Sequence, residues 1–197
     1  MERPRESFAA PAERSAGPLR APLRALIDRF ARLFPRSRES EAVVTAMQFP
    51  VPPETVWKGM MFYEDVPTRP FWFLRAFLPS PVRSEGEKTR VGASIRCTYD
   101  DGHLIKRMTE VEPARGVRFD VIEQNLGLEG CITMQGGSYE IRAQGGGSEV
   151  VLTTRYFGHL RPRFFWRLFE RYLAHRVHRH ILDGMRALPL LSAPPPP

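Results

Sequence analysis

Three of the five histidines, His175, His178 and His180, crowd into six positions near the C-terminus. His175 and His178 stand at i, i+3, a spacing that can grip a metal from one helix face. Arg171, Arg179 and Arg186 share that face with no acid beside them, so no metal and no cofactor is expected. His180 falls on the other side, near Arg176, where it can bond a ligand or give up a proton, or serve as a satisfied histidine at the core edge. Glu123 continues the alternation of Val117, Phe119 and Val121, and on a regular strand it shares their apolar face. A carboxylate there needs a raised pKa or a cation such as Arg107, Arg155 or Arg176, and it suits ligand orientation or proton transfer. A rim position facing water is the alternative. Tyr99 and Tyr156 end apolar alternations. The acid/base candidates are therefore Glu123, His180, Tyr99 and Tyr156. Cys97 sits within an apolar alternation and reads as an inert buried thiol. Gly145–Gly147 reads as a hairpin and not a phosphate cradle, because no helix follows it. No HExxH, Walker-type or Ser-His-Asp pattern is present.

The elements that must position these groups follow from charge and periodicity. The chain has 197 residues and a net charge of +7, with Lys supplying only three cations, Lys58, Lys88 and Lys106. Residues 1–40 carry +4 and residues 161–188 carry +5, whereas residues 41–160 carry −2. Basic ends suit acidic partners such as phospholipid headgroups. No run of about 18 apolar residues predicts a transmembrane helix, and the N-terminus lacks the apolar stretch of a secretory signal. Two cysteines, Cys97 and Cys131, make no disulfide scaffold, so a cytoplasmic setting is expected.

Residues 1–17 read as disordered. In residues 18–34, Leu19, Leu23, Leu26, Ile27, Phe30, Leu33 and Phe34 line one side of a helical wheel, with arginines filling the rest. Such a basic amphipathic helix can lie on an anionic membrane, making the protein membrane-peripheral, or pack on its own domain or a partner. Nucleic-acid binding is not expected, since it leaves the apolar face unexplained. Ala42–Phe49 reads as a strand and Glu54–Met60 as a short helix carrying Trp57. Residues 61–89, punctuated by Pro67, Pro70, Pro79, Pro81 and Gly86, read as a loop with a short helix. Its cluster Phe71, Trp72, Phe73 and Phe77 suits either a lid or ordinary packing. Strands then follow at Arg90–Tyr99, His103–Val111, Val117–Gln124, 131–143 and Glu149–Phe157, an antiparallel meander. Pro162 opens a long helix to about Leu188, its apolar face marked by Phe165, Phe169, Tyr172, Leu173, Val177, Ile181, Gly184 and Leu188.

A twisted antiparallel sheet buries one face, and this helix is the element large enough to cover it. A gap between them would be an apolar pocket. The succession VPPETVW, LPSPVRSEG, VGASIRCTYDDGHL, GGSYEI, VVLTTRY and HRHIL resembles the START-like (SRPBCC) superfamily, and within it the polyketide cyclase/dehydrase and lipid-transport branch. The resemblance spans residues 41–188. It implies an α+β helix-grip fold, a curved antiparallel sheet wrapped around a long C-terminal helix. It further implies a cavity for a lipid, hormone or polyketide, with an enzyme among the possibilities. Residues 1–40 form a basic extension outside it, and 189–197 a Pro-rich disordered tail. The residues expected to meet a ligand are Trp57, Phe73, Tyr99, Phe119, Glu123, Tyr156, Phe169, Tyr172, Arg176 and His180.

Overall fold

The computed structural model of the chain describes residues 39–62, 81–100 and 102–192, together with Arg29. The rest of the amphipathic segment 18–34, the cluster Phe71–Phe77 with its lid reading, and the tail 193–197 lie outside the described residues. The elements run β1 (Ser40–Phe49), α1 (Pro53–Phe62), β2 (Pro81–Gly86), β3 (Ser94–Tyr99), β4 (Gly102–Glu112), β5 (Gly116–Asn125), β6 (Ile132–Gln144), β7 (Gly147–Gly158), α2 (Arg163–Arg186) and α3 (Pro189–Ser192). The seven strands form one curved antiparallel sheet in the order β1-β7-β6-β5-β4-β3-β2. The helix-grip architecture is therefore present, with β2 as a correction to the expected loop. Pro81 and Gly86 had marked that stretch as broken. An edge strand tolerates both, because Pro81 is its first residue and only β3 pairs with it.

Side chains alternate across the sheet, so paired positions share a face. From β1 inward the pairs Glu41–Tyr156, Val43–Thr154, Thr45–Leu152 and Phe49–Ser148 face the helix side. Val43, Thr45, Phe49, Leu152 and Tyr156 are buried there. Each fully buried apolar side chain is worth about 1.5–3 kcal/mol. The core continues through Val56 and Met60 of α1, the inner faces of β3–β6, and Leu182 and Met185 of α2. Leu191 of α3 seals one end against Gly59: a Cβ on Gly59 would lie 2.7 Å from Leu191 Cδ1, so a larger residue there would make the Leu191 side chain shift.

The C-terminal helix is seated differently from its apolar pattern. Its main contacts are with β1 and β7, at one side of the sheet. Leu173, His178, Leu182, Gly184 and Met185 are buried, whereas Phe165 and Tyr172 of the expected apolar face are exposed. On a wheel of 100° per residue the buried face is rotated by about a quarter turn from the expected one. Polar anchors explain the roll. Arg163 donates to both oxygens of Glu170, at 2.8 and 2.9 Å, and to Glu41. Arg167 adds a contact to Glu41 at 3.2 Å. The Arg163, Glu41 and Glu170 side chains are all nearly buried. The bidentate and shared hydrogen bonds hold the Arg163 guanidinium charged, its pKa above the ordinary value despite burial.

Removing the central cation should leave two nearly buried carboxylates facing each other. We expect Arg163→Met to cost about 3–4 kcal/mol in chemical denaturation. A loss under about 1 kcal/mol would show that this cluster does not seat the helix.

Candidate functional site

Two polar systems lie on the inner face, one under the helix and one far from it. Under the helix, His178 is 3% exposed and hydrogen-bonds through both nitrogens, to Thr154 Oγ1 at 2.8 Å and Thr45 Oγ1 at 3.0 Å. His175 reaches the same Thr45 hydroxyl at 2.8 Å. The pair that shares its helix face with Arg171, Arg179 and Arg186 in the sequence pattern thus binds threonines of β1 and β7. Burial, with His175 nearby, lowers the His178 pKa to about 4. The imidazole is neutral at pH 7, one nitrogen donating and the other accepting.

The second system sits across the sheet on β3–β6. Ile95, Cys97 and Tyr99 of β3 face inward, opposite Lys106, Leu104 and Gly102 of β4. Lys106 in turn faces Val121 of β5. Its ammonium lies 4.5 Å from the centroid of the Phe119 ring, a cation–π contact, with the inward Cys97 on the neighbouring strand. The Phe119 ring fits because β6 carries glycine opposite it: a Cβ on Gly137 would lie 3.1 Å from Phe119 Cζ. Tyr99 and Tyr139 interact electrostatically with Lys106. Burial pushes the Tyr99 phenol up to about 12 and the Tyr139 phenol upward, with Lys106 opposing in both cases. Burial also works against the Lys106 ammonium, but Cys97, Tyr99 and Tyr139 outweigh it and its pKa is raised. Both phenols are proton donors at neutral pH, beside a charged amine. Tyr99, Lys106, Val121 and Tyr139 are only half-buried, although the neighbouring Cys97, Leu104, Met108 and Phe119 are buried.

The structure gathers some of the sequence candidates and scatters others. Tyr99 and Phe119 meet in this second system, and Trp57 packs at the edge of the same core. Glu123 does not share the face of Val117, Phe119 and Val121, which corrects the alternation. Pairing shifts between Ile105 and Lys106, a bulge that sets Glu123 opposite Ile105. Glu123 is 55% exposed in its side chain and hydrogen-bonds His103 Nε2 at 2.7 Å. Tyr156 is buried on β7, four strands from Tyr99 and so about 19 Å across the sheet. Its hydroxyl has no hydrogen-bond partner among the described residues, and burial beside Glu170 and Glu41 raises its pKa. Tyr172 and Arg176 are exposed, Phe169 and His180 are half-buried, and Phe169 stacks edge-on with Trp166 at 6.0 Å. Phe73 lies outside the described residues. Sequence reasoning missed Lys106, Tyr139 and Arg163, and set His178 on the wrong face of α2. For Lys106 the signal was present, since Leu104, Lys106 and Met108 alternate on one face. A depression of about 460 Å³, lined in part by Tyr139, is rimmed by Glu110, Arg118, Glu140 and Arg142. Those four are already ion-paired as Arg118–Glu110 and Arg142–Glu140, so its charges are spent internally.

The sequence matches no family model and no curated protein. Solved structures share its fold. Truncated norcoclaurine synthase from Thalictrum flavum superposes with a TM-score of 0.53 at 12% identity, covering 79% of this chain and 96% of that one. A Mesorhizobium loti protein gives 0.51 at 16% identity over 77% and 97% of the two chains. A Thermus thermophilus protein gives 0.51 at 16% identity over 74% and 94%. The START-like resemblance therefore holds at the level of the fold. No described helix is long and apolar enough to cross a membrane.

The His178 geometry sets a pH dependence. Its pKa is about 4 folded, against 6.5 for the unperturbed imidazole. Between these values the unfolded chain binds the proton and the folded chain does not, so stability falls as pH falls through this window. We expect a loss of about 2 kcal/mol between pH 7 and pH 5 from this group. That loss should vanish in His178→Gln, whose denaturation midpoint is followed over the same range. Equal pH slopes in both proteins would remove His178 as the cause.

Proposed function

We propose that the chain binds an apolar small molecule, lipid-like or polyketide-like, against the inner face of β3–β6, and carries it without transforming it. One observation bears the weight of this reading. The inner face there has buried apolar walls, but Tyr99, Lys106, Val121 and Tyr139 stay half-accessible where a filled core would close over them. The fold supports it in a general way, because a sheet gripping a helix places a concave apolar surface opposite that helix. Turnover of the polyketide cyclase or aromatase kind has less support. Glu123, the carboxylate suited to accept a proton, lies on the other face with His103. Tyr99 remains as a proton donor beside Lys106.

Native mass spectrometry of the purified protein should show a bound apolar species, and a fluorescent fatty acid should titrate to one site. Val121→Trp, which places an indole on this face, should weaken that uptake at least tenfold while the melting temperature stays close to wild type. Repeated empty spectra together with no uptake would end the reading, and undiminished uptake in Val121→Trp would move the site elsewhere.

A second reading, contact with an anionic membrane, has its own observation. Phe164, Phe165, Leu168 and Tyr172 form an exposed stripe on the first turns of α2, Phe164 at 78% and Leu168 at 71%. The exposed Arg171 and Arg176 flank it on the helical wheel, and Arg179 continues it. An apolar stripe bordered by arginines complements an anionic bilayer surface. The Glu41–Arg163 pair ties the start of β1 to the start of α2, and the sequence of residues 18–34 repeats the same apolar and basic pattern. Flotation with vesicles of phosphatidylserine and phosphatidylcholine should carry the full chain. Phe164→Glu combined with Leu168→Glu should cut the bound fraction at least fivefold. Equal flotation of both proteins would refute a role for the stripe.

A further inference from the structure

The inner face of β3–β5 holds one charge. From Ile95 to Val121, its inward positions are apolar, thiol or phenolic except Lys106. No carboxylate among the described residues pairs with Lys106, although ion pairs are plentiful elsewhere, on the outer face and at the foot of α2. An ammonium on an apolar wall is costly unless an anion or strong acceptors compensate it. The Phe119 ring at 4.5 Å compensates it only in part. The Tyr99 and Tyr139 phenols are within its electrostatic reach and present further O–H donors.

We propose that Lys106 is the anchor for a carboxylate: the molecule held on this face is an apolar acid whose single anionic head docks on the Lys106 ammonium and receives hydrogen bonds from Tyr99 and Tyr139. The inference rests on the binding reading above and sharpens it from apolar molecules in general to apolar acids. One cation matches one monoanionic head and does not match a multiply charged phosphate, for which a cluster of donors would be needed. The apolar body of the acid then lies along Leu104, Val121 and Phe119, the apolar neighbours that the register places beside Lys106. Charge pairing away from bulk water is stronger than at an exposed site, so the head group decides which apolar molecules are kept.

The test compares parinaric acid, a fluorescent carboxylic acid, with its methyl ester by fluorescence titration of the full chain at pH 7.5. Wild type should bind the acid at least tenfold more tightly than the ester. Lys106→Met should lose that preference while binding the ester as wild type does, and Lys106→Arg should retain it. Tyr99→Phe with Tyr139→Phe should narrow the preference without reversing it. Equal affinity of wild type for acid and ester overturns the carboxylate anchor and leaves the apolar site standing, a result that needs no variant to fold. A preference that survives in Lys106→Met overturns the anchor as well. Failure of wild type to bind either probe overturns both the anchor and the binding reading beneath it.

Discussion

The seating of α2 on β1 and β7 is the constraint on which the rest of the molecule depends. It is fixed by polar groups that lose water on folding and must find their partners inside the protein. Arg163 between Glu41 and Glu170 sets one end, and His178 between Thr45 and Thr154 sets the middle. Apolar contacts alone tolerate a range of rolls, because many faces of this helix are greasy. Paired charges and a two-sided imidazole tolerate one. The consequences run in both directions from that axis. The stripe Phe164–Leu168–Tyr172 is turned to solvent, and on the inner face of β3–β6 Tyr99, Lys106, Val121 and Tyr139 stay half-buried.

Much of the fold was legible in the amino-acid sequence because its signals are local. The β3–β4 and β6–β7 hairpins carry glycine at their turns, and the strands alternate. β2 was not legible, since the same proline and glycine that forbid a central strand are harmless at an edge. The roll of α2 was not legible either. Hydrophobicity on a wheel weighs Phe165 and Tyr172 above His178, and the threonines that reverse this order lie 24 and 133 residues away along the chain.

The candidate site was legible in part and misplaced in part, for a single reason. Strand alternation assigns faces correctly until a bulge intervenes, and then every later side chain changes sides. On β5 the shift between Ile105 and Lys106 falls between Val121 and Glu123. Val121 therefore stays on the inner face while Glu123 goes to the outer one with His103. The same local shift preserves Lys106 as the inward partner of Ile95 and Val121. Exchanging a carboxylate for an ammonium on the inner face inverts its electrostatic character, from one that would favour cations or take up protons to one that favours anions.

That inversion bears on carriage against catalysis. A lysine that attacks a carbonyl must spend time as the free amine, which enzymes secure by lowering its pKa through desolvation or a neighbouring cation. Among the described residues Lys106 has no cation beside it to lower its pKa: its neighbours are a thiol, two phenols and the Phe119 ring 4.5 Å from its ammonium. A charged ammonium is neither a nucleophile nor a general base. It offers a fixed positive charge, the Tyr99 phenol beside it is raised to about 12 and keeps its own proton, and neither group is poised to exchange one near neutral pH. Groups arranged in this way suit holding an anion in place, as the proposed carriage requires and as a cyclase would have to supplement from elsewhere.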